Sequence, residues 1–211
     1  MIALLPAYPR FSLRLSATAL IVALLLLTGC GTLSTGKPAP IAAFSDNHRL
    51  QNWRLQGKIG IRDHQQAHSA YLNWQQCGDQ YDIRISGPLG QGAAHLYGND
   101  QQVTLAGSAP QPISARTPEQ LLYQQLGWEI PLTQLFYWIR GIPDPDHSFR
   151  ADKHGFKQSG WQLTFPSQTT IDLYTLPGKA VARHPDMAVT LILKNWDLQP
   201  ACESIQQTRL P

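Results

Sequence analysis

From residue 53 the chain alternates apolar and polar side chains with a period of two. Trp53, Leu55, Gly57, Ile59 and Ile61 oppose Arg54, Gln56, Lys58, Gly60 and Arg62, the pattern of a strand with one buried face. The same period returns in Ala70/Leu72/Trp74, Tyr81/Ile83/Ile85, Trp161/Leu163/Phe165, Ile171/Leu173 and Val189/Leu191/Leu193. Turn-forming clusters at residues 63–66, 77–79, 98–100 and 167–168 punctuate these runs. Short strands at roughly ten-residue spacing predict an antiparallel meander, closed or nearly closed into a barrel. Trp53, Trp74 and Trp161 fall in phase with the apolar faces and are expected in the core.

The period changes once, in the middle of the chain. Thr117 is placed as an N-cap, with Pro118 at the first helical position, Leu121, Leu122 and Leu126 behind it and Gly127 as a stop. A second helix is expected over 131–140, with Leu132, Leu135, Phe136 and Ile139 on one face. A short helix starting at Ser45 precedes the first strand. The two central helices are apolar on one stripe only and must pack on the concave face of the sheet. The fold class is therefore mainly β with small helices, and its interior is either filled or encloses an apolar cavity, two outcomes that periodicity leaves open.

The N-terminus has a different grammar. Arg10 and Arg14 precede an apolar run over 19–27, followed at once by Thr28, Gly29 and Cys30. This is the layout of a signal peptide, and the run is short of the ~20 residues needed to span a bilayer. Leu27-Thr28-Gly29-Cys30 resembles a bacterial lipobox, which implies a leader at 1–29, a mature N-terminus at Cys30 bearing acyl chains, and a linker over 30–44. The residue after the cysteine is Gly31, not Asp, which by analogy implies delivery to the outer membrane. Residues 31–37 also spell GTLSTGK, the start of a phosphate loop, but Pro38 replaces the required Ser/Thr and no strand precedes it.

Composition narrows the function. The chain of 211 residues carries 17 Lys+Arg against 14 Asp+Glu; without the two leader arginines the balance is 15 against 14. No basic face for nucleic acid follows. Export leaves Cys77 and Cys202 as an even pair in an oxidising compartment, where a bridge and two independent thiols both fit. Catalytic motifs are missing: there is no GxSxG, HExxH or CxxC. His64 and His68 have the spacing of a metal pair on a helix, but residues 63–67 read as a hairpin turn, and a metal site requires three or four convergent ligands. Asp144 and Asp146 flank Pro145 and are expected as solvated loop acids. Neither an enzyme nor a metal or cofactor protein is expected.

Several stretches together resemble the LolB family, outer-membrane lipoproteins that receive other lipoproteins from the periplasmic carrier LolA. They are Trp74-Gln75-Gln76, the segment YDIRISGPLG over 81–90, Ile130-Pro131-Leu132, WIRGIP over 138–143, and Asn195-Trp196 at the end of the final strand. The resemblance spans 45–198, and the tail 199–211 departs from it. It implies an antiparallel unclosed β-barrel with a helical lid around an apolar cavity that takes up acyl chains. The apolar strand and helix positions expected to line that cavity are Leu72, Trp74, Ile83, Ile85, Leu121, Leu122, Leu126, Trp128, Leu135, Phe136, Trp138 and Ile139. It also implies that Leu89, at the tip of the turn Gly87, Pro88, Gly90, protrudes and touches the membrane during delivery. The expected partners are LolA, cargo lipoproteins and outer-membrane phospholipid. The expected state is a monomer anchored at Cys30 and facing the periplasm. The open alternative is a structural or assembly-helper lipoprotein with a filled barrel.

Overall fold

The computed structural model describes residues 41–87, 92–107, 110–203 and 205, the Leu126 side chain excepted. Cys30, Pro88, Leu89 and Gly90 lie outside the described residues. Eleven strands form a single sheet in the order β6-β5-β4-β3-β2-β1-β11-β10-β9-β8-β7. The first meander comprises β1 (Asn52–Asp63), β2 (Ala67–Cys77), β3 (Gln80–Ser86), β4 (Ala94–Gly98), β5 (Val103–Ala106) and β6 (Ile113–Ala115). The second comprises β7 (Phe149–Asp152), β8 (Gly155–Gln158), β9 (Trp161–Ile171), β10 (Tyr174–Arg183) and β11 (Met187–Asp197). The two meanders join where β1 pairs antiparallel with β11. At that seam β1 comes so close to its neighbour that a Cβ on Gly57 would collide with the Ile192 carbonyl, which only glycine avoids.

The two outer strands, β6 and β7, are short, and among the described residues no pairing between them closes the barrel. The chain that runs from one free edge to the other carries both central helices, α1 (Pro118–Leu126) and α2 (Leu132–Trp138). Their hydrophobic stripes meet the sheet's inner face in one continuous core. Phe136 of α2 packs on Trp74 of β2 at 5.1 Å and on Tyr81 of β3 at 4.9 Å. Trp138 meets Trp161 of β9 at 6.0 Å, so this one helix bridges the two meanders.

The structure differs from the sequence reading at four places. The N-terminal helix is a 3-10 helix over Ile41–Arg49. It starts inside the expected linker because Phe44, fully buried against Phe165, draws it onto the core. The expected second helix is trimmed at both ends, since Pro131 serves as its N-cap and Ile139 as its C-cap. Asp144, expected in solvent, is only 2 % exposed, because its carboxylate accepts hydrogen bonds from the Asp146 amide at 3.0 Å and meets His147 Nδ1 at 2.8 Å. Leu173, placed in strand alternation with Ile171, instead sits at a hairpin tip, where Asp172 at φ 52° turns the chain and breaks the alternation.

Cys77 and Cys202 are joined in a disulfide with a Cα–Cα separation of 5.8 Å. The bond ties the tail to the end of β2, beside the start of β1, whose Asn52 pairs with Cys77.

Candidate functional site

The helical insert and the sheet beneath it form the candidate site. The sequence dictates α1 through its caps: Thr117 Oγ1 accepts from the Gln120 amide at 3.3 Å, Pro118 starts the helix, and Gly127 ends it in the left-handed region at φ 69°. Leu121 is fully buried, whereas Tyr123 on the opposite side is 61 % exposed.

The second helix is fastened by buried polar groups. Trp138 Nε1 donates to Gln158 Oε1 at 2.7 Å, and the same oxygen accepts the Asp144 amide at 3.0 Å. The Gln158 amide nitrogen donates in turn to the carbonyls of Asp144 and His147. Just beyond the helix, Arg140 donates to the Leu50 carbonyl at 2.7 Å and to the Phe136 carbonyl at 3.2 Å, and burial presses its guanidinium below its ordinary value. Asn47 Nδ2 donates to the carbonyls of Arg140 and Thr175, both at 2.6 Å. Gly141 adopts φ 82°, and a Cβ there would fall 2.6 Å from the Phe44 ring that seals this corner. The WIRGIP segment is thus a polar clamp and a packing notch in one.

The expected cavity residues converge as packed core. Leu72, Trp74, Ile83, Leu121, Leu135, Trp138 and Ile139 are buried, while Ile85, Leu122, Trp128 and Phe136 are partly buried against them. Two clefts open beside this core. One of about 920 Å³ lies between the α1–α2 connection, with Trp128, Ile130 and Pro131, and the hairpin ends carrying Asp63, His64, Asp186 and Met187. The other, of about 540 Å³, has Phe136, Tyr137 and Arg140 in its wall.

The larger cleft has an aromatic floor and an acidic rim. Trp128 and Trp161 lie in its lining with Asp63, Glu119, Glu129 and Asp186, and among the described residues no Lys or Arg joins them. Asp63 accepts the Gln65 and Gln66 amides at 2.7 Å each, and these bonds hold its carboxyl below the usual carboxylate range. His64 and His184 face Asp186 at 3.5 and 3.6 Å. His68, the other half of the sequence's histidine pair, lies instead with its ring tilted 6.0 Å from that of Trp128. Sequence reasoning missed this rim because its acids come from four separate stretches: the end of β1, α1, the α1–α2 connection and the β10–β11 turn. It also missed Gln158 and Asn47, whose partners lie far away in the chain.

The open antiparallel sheet with its helical insert is similar in fold to two solved structures. A LolA superfamily protein from Nitrosomonas europaea superposes over 79 % of this chain and 97 % of its own, with a TM-score of 0.50 at 8 % identity. A DUF1329-family protein from Desulfovibrio piger covers 81 % of this chain and 96 % of its own, with a TM-score of 0.52 at 7 % identity. A family model described as "Outer membrane lipoprotein LolB" matches residues 51–196, and the chain belongs to that family. Its relatives include the outer-membrane lipoprotein LolB of Pseudomonas fluorescens strain Pf-5, 38 % identical over 81 % of this chain and 90 % of that protein. The LolB of Ectopseudomonas mendocina is 39 % identical over 81 % of this chain and 91 % of that protein.

Proposed function

We propose that this protein is a receptor anchored in the outer membrane through Cys30, which accepts acylated lipoproteins from the periplasmic carrier LolA and inserts them into that membrane. It works as a monomer and makes or breaks no covalent bond. The observation that carries the reading is the pairing of LolB-family sequence with a helical insert laid across an unclosed sheet. Among the described residues no helix is long and apolar enough to cross a membrane, consistent with an anchor made of lipid.

Physical need supplies the mechanism. An acyl chain of ~16 carbons costs on the order of 12 kcal/mol to expose to water, so cargo must pass from one apolar shelter to another. Here the shelter is made on demand. The stripe of α1 moves off the β5–β6 end of the sheet against which it packs, and acyl methylenes take up the contacts that Leu121 and Leu122 release. The exchange trades one apolar contact for another, which keeps its net cost small. The acidic rim steers a basic carrier surface onto the cleft under Trp128. With no nucleotide to drive it, transfer runs downhill from a weaker to a stronger binder and then into phospholipid. Leu89 touches the bilayer in the last step, and burying one leucine is worth about 1.5–3 kcal/mol, enough for contact without retention.

A specific observation favours a second reading: the interior is filled by its own side chains, as a structural or assembly-helper lipoprotein would require. One experiment separates the two. A Cys30→Ala domain is mixed with LolA carrying an acylated lipoprotein, and cargo is followed by pull-down, with Leu89→Glu compared for onward delivery to liposomes. Transfer to both proteins with delivery impaired only in Leu89→Glu is expected. A folded domain that takes up no cargo would leave the filled-barrel reading standing.

A further inference from the structure

The most exposed large apolar side chain among the described residues is not on the insert. Leu173, 82 % exposed, caps the hairpin between β9 and β10. Ile171 and Tyr174 face each other across the strands just behind it, both half-buried. Between Pro166 and Gly178 the sequence holds a single charged residue, Asp172. An apolar tip on a nearly uncharged hairpin with a tyrosine at its neck has the chemistry of a lipid headgroup boundary.

The register fixes which end of the sheet this tip belongs to. Tyr174 pairs with Ile171 at one end of β10, and Arg183 pairs with Gln162 at the other. The second end also holds the β1–β2 and β10–β11 turns that border the acidic cleft, because Asp63 of β1 pairs with Met187 of β11. The 3-10 helix hands the chain to β1 at the first end, where Asn52 begins the strand. Asn47 of the 3-10 helix donates to the Thr175 carbonyl at 2.6 Å, two residues from Leu173. From Ile41 back to Cys30 the chain can span at most about 38 Å when fully extended. A lipid on Cys30 therefore keeps this end of the domain, and the Leu173 tip with it, within reach of the bilayer.

We propose that the β9–β10 tip, led by Leu173, rests in the lipid surface that holds the Cys30 anchor, so that the acidic cleft at the opposite end faces away from that membrane. The proposal rests on lipidation of Cys30. It gives the molecule a receiving posture, in which the cleft is presented to an incoming carrier, distinct from any posture in which the β3–β4 connection meets lipid.

The test uses the full lipidated chain with its disulfide intact, in vesicles of phosphatidylethanolamine and phosphatidylglycerol. An environment-sensitive fluorophore is placed on Leu173→Cys, and on Phe149→Cys of edge strand β7 as the control. A blue shift at position 173 with quenching by brominated acyl chains, and neither at 149, is expected. Leu173→Glu should still accept cargo from the carrier. A vesicle-bound protein whose 173 label stays water-like would overturn the proposal while leaving the receptor reading intact. So would a label that responds to the carrier instead of to vesicles. A full chain that does not float with vesicles would overturn lipid anchoring, and the proposal with it.

Discussion

The two helices of the insert are of similar length and lie on the same sheet, yet they are held by different forces. Around α2, Gln134 donates to Ser159, Trp138 to Gln158, and Arg140 to the Leu50 carbonyl. Among the described residues, the side chains of α1 make one hydrogen bond beyond the helix, in which Glu119 accepts the Thr133 amide at 2.7 Å, and that bond goes to α2. Toward the sheet α1 offers only apolar contact. Buried polar bonds demand one geometry, whereas hydrophobic contact is non-directional and accepts a substitute surface. On the proposed reading, α2 is the fixed wall and α1 the part that an acyl chain would displace.

The largest test of that contrast is Trp138→Ala, which removes a buried indole and leaves Gln158 Oε1 with only the Asp144 amide as a donor. It is expected to cost about 3–5 kcal/mol, read as a lowered urea midpoint. Gln158→Leu comes next, at about 2–3 kcal/mol, because it strands the Trp138 and Asp144 N–H groups together. Thr117→Ala, which uncaps α1, should cost only about 1 kcal/mol and should speed uptake of a fluorescent fatty acid. If it cost as much as Gln158→Leu, or slowed uptake, the distinction between wall and lid would fail.

The smallest effect serves as a control away from both helices. On β3, burial acts to raise the Asp82 carboxyl, but its hydrogen bond and ionic contact with His95 at 2.8 Å, together with Arg84, outweigh burial and hold it below the ordinary value. A lowered native value means stability that is present above the unfolded carboxylate range near pH ~3.9 and is lost as pH falls through the native value. The advantage of the wild type over Asp82→Asn should therefore shrink between about pH 4 and more acidic conditions, in thermal melts, without changing lipid uptake.

Much of this contrast was legible in the sequence on the α1 side and little of it on the α2 side. Thr117, Pro118 and Gly127 announce α1 because capping is local, and the long strands announce themselves by alternation. The strands β4 to β8 have three to five residues each, too few for a period of two to stand out. The clamp on α2 is invisible because Asn47 reaches a carbonyl 93 positions away, and polarity alone made Asp144 look solvated. Periodicity marked Trp74, Leu121 and Phe136 as inward-facing, but packed core and cavity wall share one hydrophobic pattern. The pairing of Cys77 with Cys202 depends on a distance that no local pattern encodes.

That disulfide has a mechanical consequence. It links the end of β2 to the chain just past β11, the two strands that flank β1 on either side. A membrane tether pulling on the N-terminus delivers its load through the 3-10 helix into β1 at Asn52, along the strand axis. The neighbours are stapled together at the end where the force enters, so they cannot splay and release β1 one bond at a time. The load is shared along the hydrogen-bonded ladders on both sides of β1.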